Sequence, residues 1–141
     1  MFKFPTHTRN SNGTYGPTTK DHYYQPAPYH NATARKRKNK KSRWQIKEGE
    51  QYEVFKISDE PYWICKINHC LFSIVQDGEV VLGQEEERLA VFPVPQNSFD
   101  AWHGWPTNSD DKKPEPCLLD KWEQDKIISS HIRRKIEKGV L

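Results

Sequence analysis

The sequence has no apolar run near the roughly 20 residues that a helix needs to cross a bilayer. Its first ten residues also lack the apolar core of a signal peptide. Three cysteines, Cys65, Cys70 and Cys117, cannot all pair within one chain, so we expect reduced thiols. These absences predict a protein with no membrane segment, located in the cytoplasm, or in the nucleus if the host is eukaryotic.

Large aliphatic side chains are almost missing from residues 1–43, where Met1 is the only Leu, Ile, Val or Met. Such a stretch buries too little apolar area to offset the entropy lost on folding. The whole chain of 141 residues is long enough for one ordinary domain. We therefore expect a disordered arm over 1–43 and a single small domain over 44–141.

Recognisable catalytic and metal-binding motifs are missing too. The sequence contains no serine nucleophile elbow, no phosphate-binding loop and no paired zinc-ligand histidines. Cys65 and Cys70, with His69 between them, offer soft ligands, but four intervening residues do not suit a tight zinc site. We expect buried free cysteines, no metal and no cofactor.

Charge is divided unevenly along the chain. Residues 1–43 contain 10 Lys/Arg and a single acid, Asp21, for a net charge of +9. Residues 44–141 contain 12 Lys/Arg and 18 Asp/Glu, for a net charge of −6. The sequence therefore predicts a basic arm attached to an acidic domain, an asymmetry typical of polyanion-binding tails.

The positive charge of the arm is concentrated in residues 34–43, where seven of ten residues are Lys or Arg. Such clusters bind polyanions by neutralising phosphates, and neighbouring tyrosines can stack on unpaired bases. A nuclear address and a solvated tail are the alternatives. The predicted nucleic-acid-binding residues are Arg35, Lys36, Arg37, Lys38, Lys40, Lys41, Arg43, Tyr23, Tyr24 and Tyr29.

Residues 44–94 have the β-branched and aromatic content of strands, separated by turn residues. Several strands are apolar on both sides, which predicts a sheet covered on both faces. Two-residue hairpin turns are expected at Asn68-His69 and Asp77-Gly78, and the first would put Cys65 opposite Phe72. We predict an antiparallel meander of about four or five strands, at 51–57, 62–67, 70–76, 79–82 and 88–94.

The last 26 residues have helical periodicity, because apolar side chains recur on one face from Leu118 to Ile136. The helix is predicted to begin near Pro116 and to end at Gly139. Alternatively it breaks near Ser129-Ser130, with Ser130 capping the second piece. The fold class is therefore α+β, with the meander packed against a C-terminal helix.

The segment 89–106, between the predicted strands and the helix, is rich in proline and aromatic residues. Its aromatic side chains, Phe99 included, either plug one end of the sheet or form a binding loop. A run of acids at 85–87 could face a basic partner. The predicted protein-binding residues are Trp102, His103, Trp105, Glu85, Glu86 and Glu87.

The composition favours a non-enzymatic binding or regulatory module, whose arm contacts nucleic acid or another polyanion while the acidic domain recognises a protein. One alternative is an immunity- or antitoxin-like inhibitor of a basic protein such as a nuclease. The other is a small metal-independent RNase, which needs a base, an acid and a cation near the phosphate. The candidate catalytic residues for it are His103, His131, Arg133 and Arg134.

Overall fold

The computed structural model describes residues 2–27 and 42–141, and the predicted α+β class is confirmed. Four antiparallel strands form one sheet in the order β1-β2-β3-β4. Three α-helices and a short 3-10 helix at Gln76–Gly78 are the other regular elements of the described residues. The elements are α1 (Glu48–Asp59), β1 (Ile64–Cys65), β2 (Cys70–Ile74), β3 (Leu89–Pro93), β4 (Trp105–Thr107), α2 (Pro116–Gln124) and α3 (Ser130–Glu137).

Both faces of the sheet are covered, as the two-sided apolar strands predict. Side chains alternate along a strand, so Leu71 and Phe92 face one side while Phe72 and Val91 face the other. The first side packs against α1 and the second against α2 and α3. Every residue of β2 is buried because it lies between these two layers.

The strand predicted at 51–57 is wrong, since this segment belongs to helix α1. Its buried positions include Gln51, Phe55, Ser58 and Asp59, which recur at helical spacing. Three of these four are polar, and their side chains are hydrogen-bonded inside the fold. The helical period was therefore hidden, because it is carried by polar as well as apolar residues.

The meander has four strands, which agrees with the predicted four or five, but not all of them lie where they were predicted. The segment 62–67 contributes only β1, the segment 79–82 forms no strand, and β4 was not foreseen. The β1–β2 connection is a four-residue loop, in which His69 takes a left-handed φ of 51°. The register is therefore shifted from the prediction, and Cys65 lies opposite Cys70.

The single C-terminal helix predicted from Pro116 to Gly139 is divided in two, so the alternative of a break, here between α2 and α3, is correct. Pro116 occupies the first turn of α2, where a missing amide proton costs nothing. The cap of α3 is Ser129, one residue earlier than expected, whose Oγ accepts a hydrogen bond from the amide of Ile132 at 3.2 Å. The two helices pack their apolar faces on the same side of the sheet.

Disorder does not hold for residues 2–27 of the predicted arm. Tyr15 and Tyr24 are buried in the same cluster as Phe55 and Phe92 of the sheet and α1. Tyr24 also pairs through its backbone with Tyr15 and with Trp102. A few large aromatic rings provide the burial for which aliphatic side chains are missing. Residues 28–41 of the same prediction lie outside the described residues.

No helix in the described ranges is long and apolar enough to span a membrane.

Candidate functional site

Residues 34–43 form the basic run, and the residues Gln25 before it and Trp44 after it both contact the dipeptide His103-Gly104. On the entering side, the amide of Gln25 donates to the Trp102 carbonyl at 2.9 Å. The Nδ1 atom of His103 donates to the Gln25 carbonyl at 3.0 Å. On the returning side, the Nε1 atom of Trp44 donates to the Gly104 carbonyl at 3.2 Å. Both ends of the intervening stretch are thus fixed at one place on the domain.

Gly104 makes this convergence sterically possible. A Cβ atom at this position would overlap the ring of Phe92 and the carbonyl oxygen of Val91. Only glycine lets the backbone before β4 approach β3 so closely. The adjacent His103 side chain stays exposed on the surface. The His-Gly pair is therefore a tight backbone crossing that displays one imidazole.

The predicted base-stacking tyrosines have different environments. Tyr23 is 40% exposed, whereas Tyr24 is fully buried and its hydroxyl donates to Gln51 Oε1 at 2.9 Å. Burial raises the pKa of the Tyr24 phenol well above its usual range. Tyr24 therefore offers no face to a base, while Tyr29 lies outside the described residues.

Among the predicted cations, only Arg43 is described, and its carbonyl accepts a hydrogen bond from the amide of Gln84 at 3.0 Å. This bond, next to the bridge between Trp44 and Gly83, fixes the start of the returning chain. The other six cations of the run, Arg35, Lys36, Arg37, Lys38, Lys40 and Lys41, lie outside the described residues.

The predicted protein-binding residues are only partly accessible. Trp102 is 4% exposed and packs against the rings of His22 and Phe55, so it has the structural role of a plug. Glu87 is buried, and its Oε1 accepts from the amide of Glu85 at 2.9 Å. Trp105 is half-buried. Glu85 and Glu86 remain exposed, together with His103.

Phe99 is not a plug, because its side chain is 99% exposed. It lies in a turn that the amide of Asp100 closes by donating to the Asn97 carbonyl at 3.0 Å. Asn97 Nδ2 also donates to Asp100 Oδ2 at 3.3 Å. Asparagine, serine and aspartate around Phe99 are turn residues, and this signal could have predicted its exposure. Val94 on the same loop is 43% exposed.

A buried carboxylate that sequence reasoning missed holds the N-terminal segment to α1. Asp59 has no solvent exposure, and its two oxygens accept from His22 Nδ1 at 2.8 Å and from Thr18 Oγ1 at 2.5 Å. A second contact joins His7 Nε2 to Glu53 Oε1 at 2.7 Å. These bonds form a polar latch between residues 7–22 and the outer face of α1.

A carboxylate on Nδ1 orients an imidazole and leaves Nε2 to exchange protons, which is the geometry of a general base. Within the described residues, no side chain is hydrogen-bonded to Nε2 of His22, and the Trp102 ring covers the imidazole at 5.3 Å between centroids. The chemistry that this pair can support on its own is anchoring of the segment.

The candidate catalytic residues do not form one group. His103 adjoins the core on the α1 side of the sheet, whereas His131 is exposed on α3 across the sheet. Arg133 bonds to Asp120, Glu123 and Glu137 at 2.6, 3.1 and 3.3 Å. The hydrogen bond that Arg133 donates to Asp120 raises the pKa of the Arg133 guanidinium further above its usual range. Arg134 is exposed on α3.

The facing cysteines are free and buried, and Cys117 is free and exposed. Burial, with a contribution from Cys65, raises the pKa of the Cys70 thiol to about 12. A thiol of this kind remains protonated and is a poor metal ligand or nucleophile. In the ranges 2–27 and 42–141, no group of three or more His, Cys, Asp or Glu side chains is arranged to hold a metal ion.

Comparisons with protein-family models, with curated proteins and with solved structures found no match to this chain.

Proposed function

We propose that the protein is a non-enzymatic binding module whose basic run contacts nucleic acid or another polyanion. The observation that supports this most is the convergence of both flanks of the run on His103-Gly104. The chain between these two contacts contains all seven cations of the run. The proposed contact residues are Arg35, Lys36, Arg37, Lys38, Lys40, Lys41 and Arg43, with Tyr29 and Tyr23, of which Tyr23 is exposed, as candidates for stacking.

The rest of the domain is acidic, which restricts where a polyanion can bind. Residues 44–141 have a net charge of −6 and repel phosphate at long range. A polyanion would therefore approach the positive charge of the run, whose described flanks contact His103-Gly104. Binding through released counterions predicts a steep dependence on salt, with a slope of about 0.7 per neutralised phosphate on a single strand.

Deleting the whole N-terminal segment would be a poor test, because Tyr15 and Tyr24 belong to the core. The sharper variant keeps the full chain and replaces Arg35, Lys36, Arg37, Lys38, Lys40 and Lys41 by Gln. Its control, Arg35→Lys with Arg37→Lys, changes the side chains but preserves the charge.

Fluorescence anisotropy with labelled single-stranded RNA, at 50 to 200 mM salt, compares these two variants with the parent chain. We expect the Gln variant to lose most of the affinity and salt dependence, while the Lys control retains both. Equal binding by all three proteins would contradict the proposal. RNA cleavage during the titration, lost in His103→Ala, would replace it with the RNase alternative.

We also propose that the domain recognises a protein, and the exposed Phe99 turn is the best support for this. Aromatic anchors that enter a partner's pocket dominate many interfaces. Capture from native lysate, after nuclease treatment, should yield a partner that Phe99→Ser loses. The control Val140→Ser changes another exposed apolar side chain, 65% accessible, and should retain it.

The inhibitor alternative assigns the contact to the acids instead. Glu85 and Glu86 are exposed, and charge complementarity would speed association with a basic protein. Loss of the captured partner in Glu85→Gln with Glu86→Gln, but not in Phe99→Ser, would favour this alternative. A partner that disappears after nuclease treatment would contradict both.

A further inference from the structure

Helix α3 and its C-cap have a row of one imidazole and three cationic side chains along the solvent face. His131, Arg134, Lys135 and Lys138 are spaced i, i+3, i+4 and i+7, which aligns them in one stripe of the helix. All four side chains are exposed. The opposite face of the same helix buries Ile136 against the sheet. We call these four residues the α3 stripe.

The carboxylates near this helix do not neutralise the α3 stripe. Asp120, Glu123 and Glu137 all bond to Arg133, which lies on the flank of the helix. In the part of the chain that the structure describes, no salt bridge involves a member of the stripe. One more acid, Asp110, adjoins Gly139 past the end of α3.

Helix electrostatics explains only part of this arrangement. Cations near the C-terminal end of a helix are favoured by its dipole, which accounts for the positions of Arg134, Lys135 and the C-cap Lys138. The dipole does not explain why the three nearby acids all bond to Arg133. Solubility does not require that the nearby acids all bond to one arginine. The three Lys/Arg side chains of the stripe therefore lie exposed with no salt bridge among the described residues.

We propose that the α3 stripe is a second nucleic-acid contact, which binds the phosphates of one strand. This inference rests on the proposed function and extends it to a rigid element outside the basic run. From His131 to Lys138 the stripe rises about 10 Å, at about 1.5 Å per residue. The three cations within this length can each neutralise one phosphate. The contact is with the backbone, so it carries no sequence preference.

The test uses the full chain with Arg134→Gln, Lys135→Gln and Lys138→Gln. The matched control, Lys3→Gln with Lys20→Gln and Lys66→Gln, removes three exposed cations from other surfaces. Anisotropy titrations with single-stranded RNA are run at 50 to 200 mM salt, after thermal melts show that both variants fold. We expect the stripe variant to bind about tenfold more weakly at 50 mM, with a salt slope lower by about 2.

Each outcome separates the stripe from the basic run. If the stripe variant binds like its control while the Gln variant of the basic run loses binding, the role proposed for the α3 stripe is overturned and the proposed function stands. If only the stripe variant loses binding, the stripe is supported and the role of the run is overturned. If the parent chain binds no RNA, both are overturned. Binding to anionic phosphatidylserine vesicles instead, lost in the stripe variant, also overturns this proposal in favour of a membrane surface.

Discussion

The two faces of the sheet are covered by chemically different layers. On one face, α1 and residues 2–27 contribute mainly aromatic rings, including Tyr15, Tyr24 and Phe55. On the other face, α2 and α3 contribute an aliphatic stripe with one tryptophan, Trp122. The aromatic layer is also fastened by hydrogen bonds to the buried Asp59, whereas the only described buried side-chain polar atom without a partner, Trp122 Nε1, lies in the aliphatic layer.

This difference shows that a segment without aliphatic residues can still cover a sheet. A tyrosine buries a large apolar surface and satisfies its hydroxyl with one partner, as Tyr24 does with Gln51. Few rings are needed, so no periodic pattern appears along the chain. An irregular segment then needs polar contacts to fix its path, because it lacks the internal hydrogen bonds of a helix.

Removing the ring of Tyr24 is expected to have the largest effect on the aromatic layer. Tyr24→Ala should lower the free energy of unfolding by about 4 kcal/mol, because it leaves a cavity between α1 and the sheet. The control Tyr24→Phe keeps the ring and loses one hydrogen bond, for about 1 kcal/mol. Urea unfolding followed by fluorescence measures both. A loss below about 1 kcal/mol in Tyr24→Ala would mean that residues 2–27 do not cover the sheet.

On the opposite face, the matching change is Ile136→Ala in α3. Ile136 is fully buried against the sheet, so truncation should cost about 3 kcal/mol. The control Ile132→Ala changes a half-buried residue of the same helix and should cost less. If Ile136→Ala were harmless, the aliphatic layer would not be part of the cooperative unit.

These two layers differ in how well the sequence predicts them. The break between α2 and α3 was predictable, because Ser129 and Ser130 interrupt an apolar stripe of period 3.6. The strands β2 and β3 were predictable for a similar reason, since their apolar runs are bounded by turn residues. Here each local pattern agrees with the burial that the structure requires.

The aromatic layer was not predictable in this way. Helix α1 buries Gln51 and Asp59, whose partners Tyr24 and His22 lie far away in the chain. A polar residue that is satisfied only by a distant partner has no local signal, so the strand propensity of its neighbours decided the prediction. The convergence on His103-Gly104 was hidden likewise, because its contacts come from Gln25 and Trp44.

The polar latch gives a smaller and sharper test. Asp59→Asn keeps the volume but removes the charge that His22 and Thr18 contact, and should cost about 2 kcal/mol. The control Asp21→Asn removes an exposed carboxylate from the same segment and should change the stability little. In a double-mutant cycle, His22→Ala should add little once Asp59 is replaced. Simple additivity would show that the latch is not one unit.

The smallest effect distinguishes the two faces at alkaline pH. Burial raises the pKa of the Cys70 thiol on the aliphatic face from its ordinary 9.0 to about 12, and it also raises that of the Tyr24 phenol on the aromatic face, whose ordinary value is 10.0. Above these ordinary values the unfolded chain binds fewer protons than the folded chain, so stability falls as the pH rises.

Cys70 begins to contribute about one pH unit before Tyr24 does. Cys70→Ala should therefore flatten the decline from pH 9 to 10, by less than about 1 kcal/mol, whereas Tyr24→Phe should flatten it only above pH 10. Urea midpoints measured at half-unit steps from pH 8 to 10.5 test this order. If Tyr24→Phe flattened the first step and Cys70→Ala did not, the aromatic face, and not the buried thiol of the aliphatic face, would control the alkaline loss of stability.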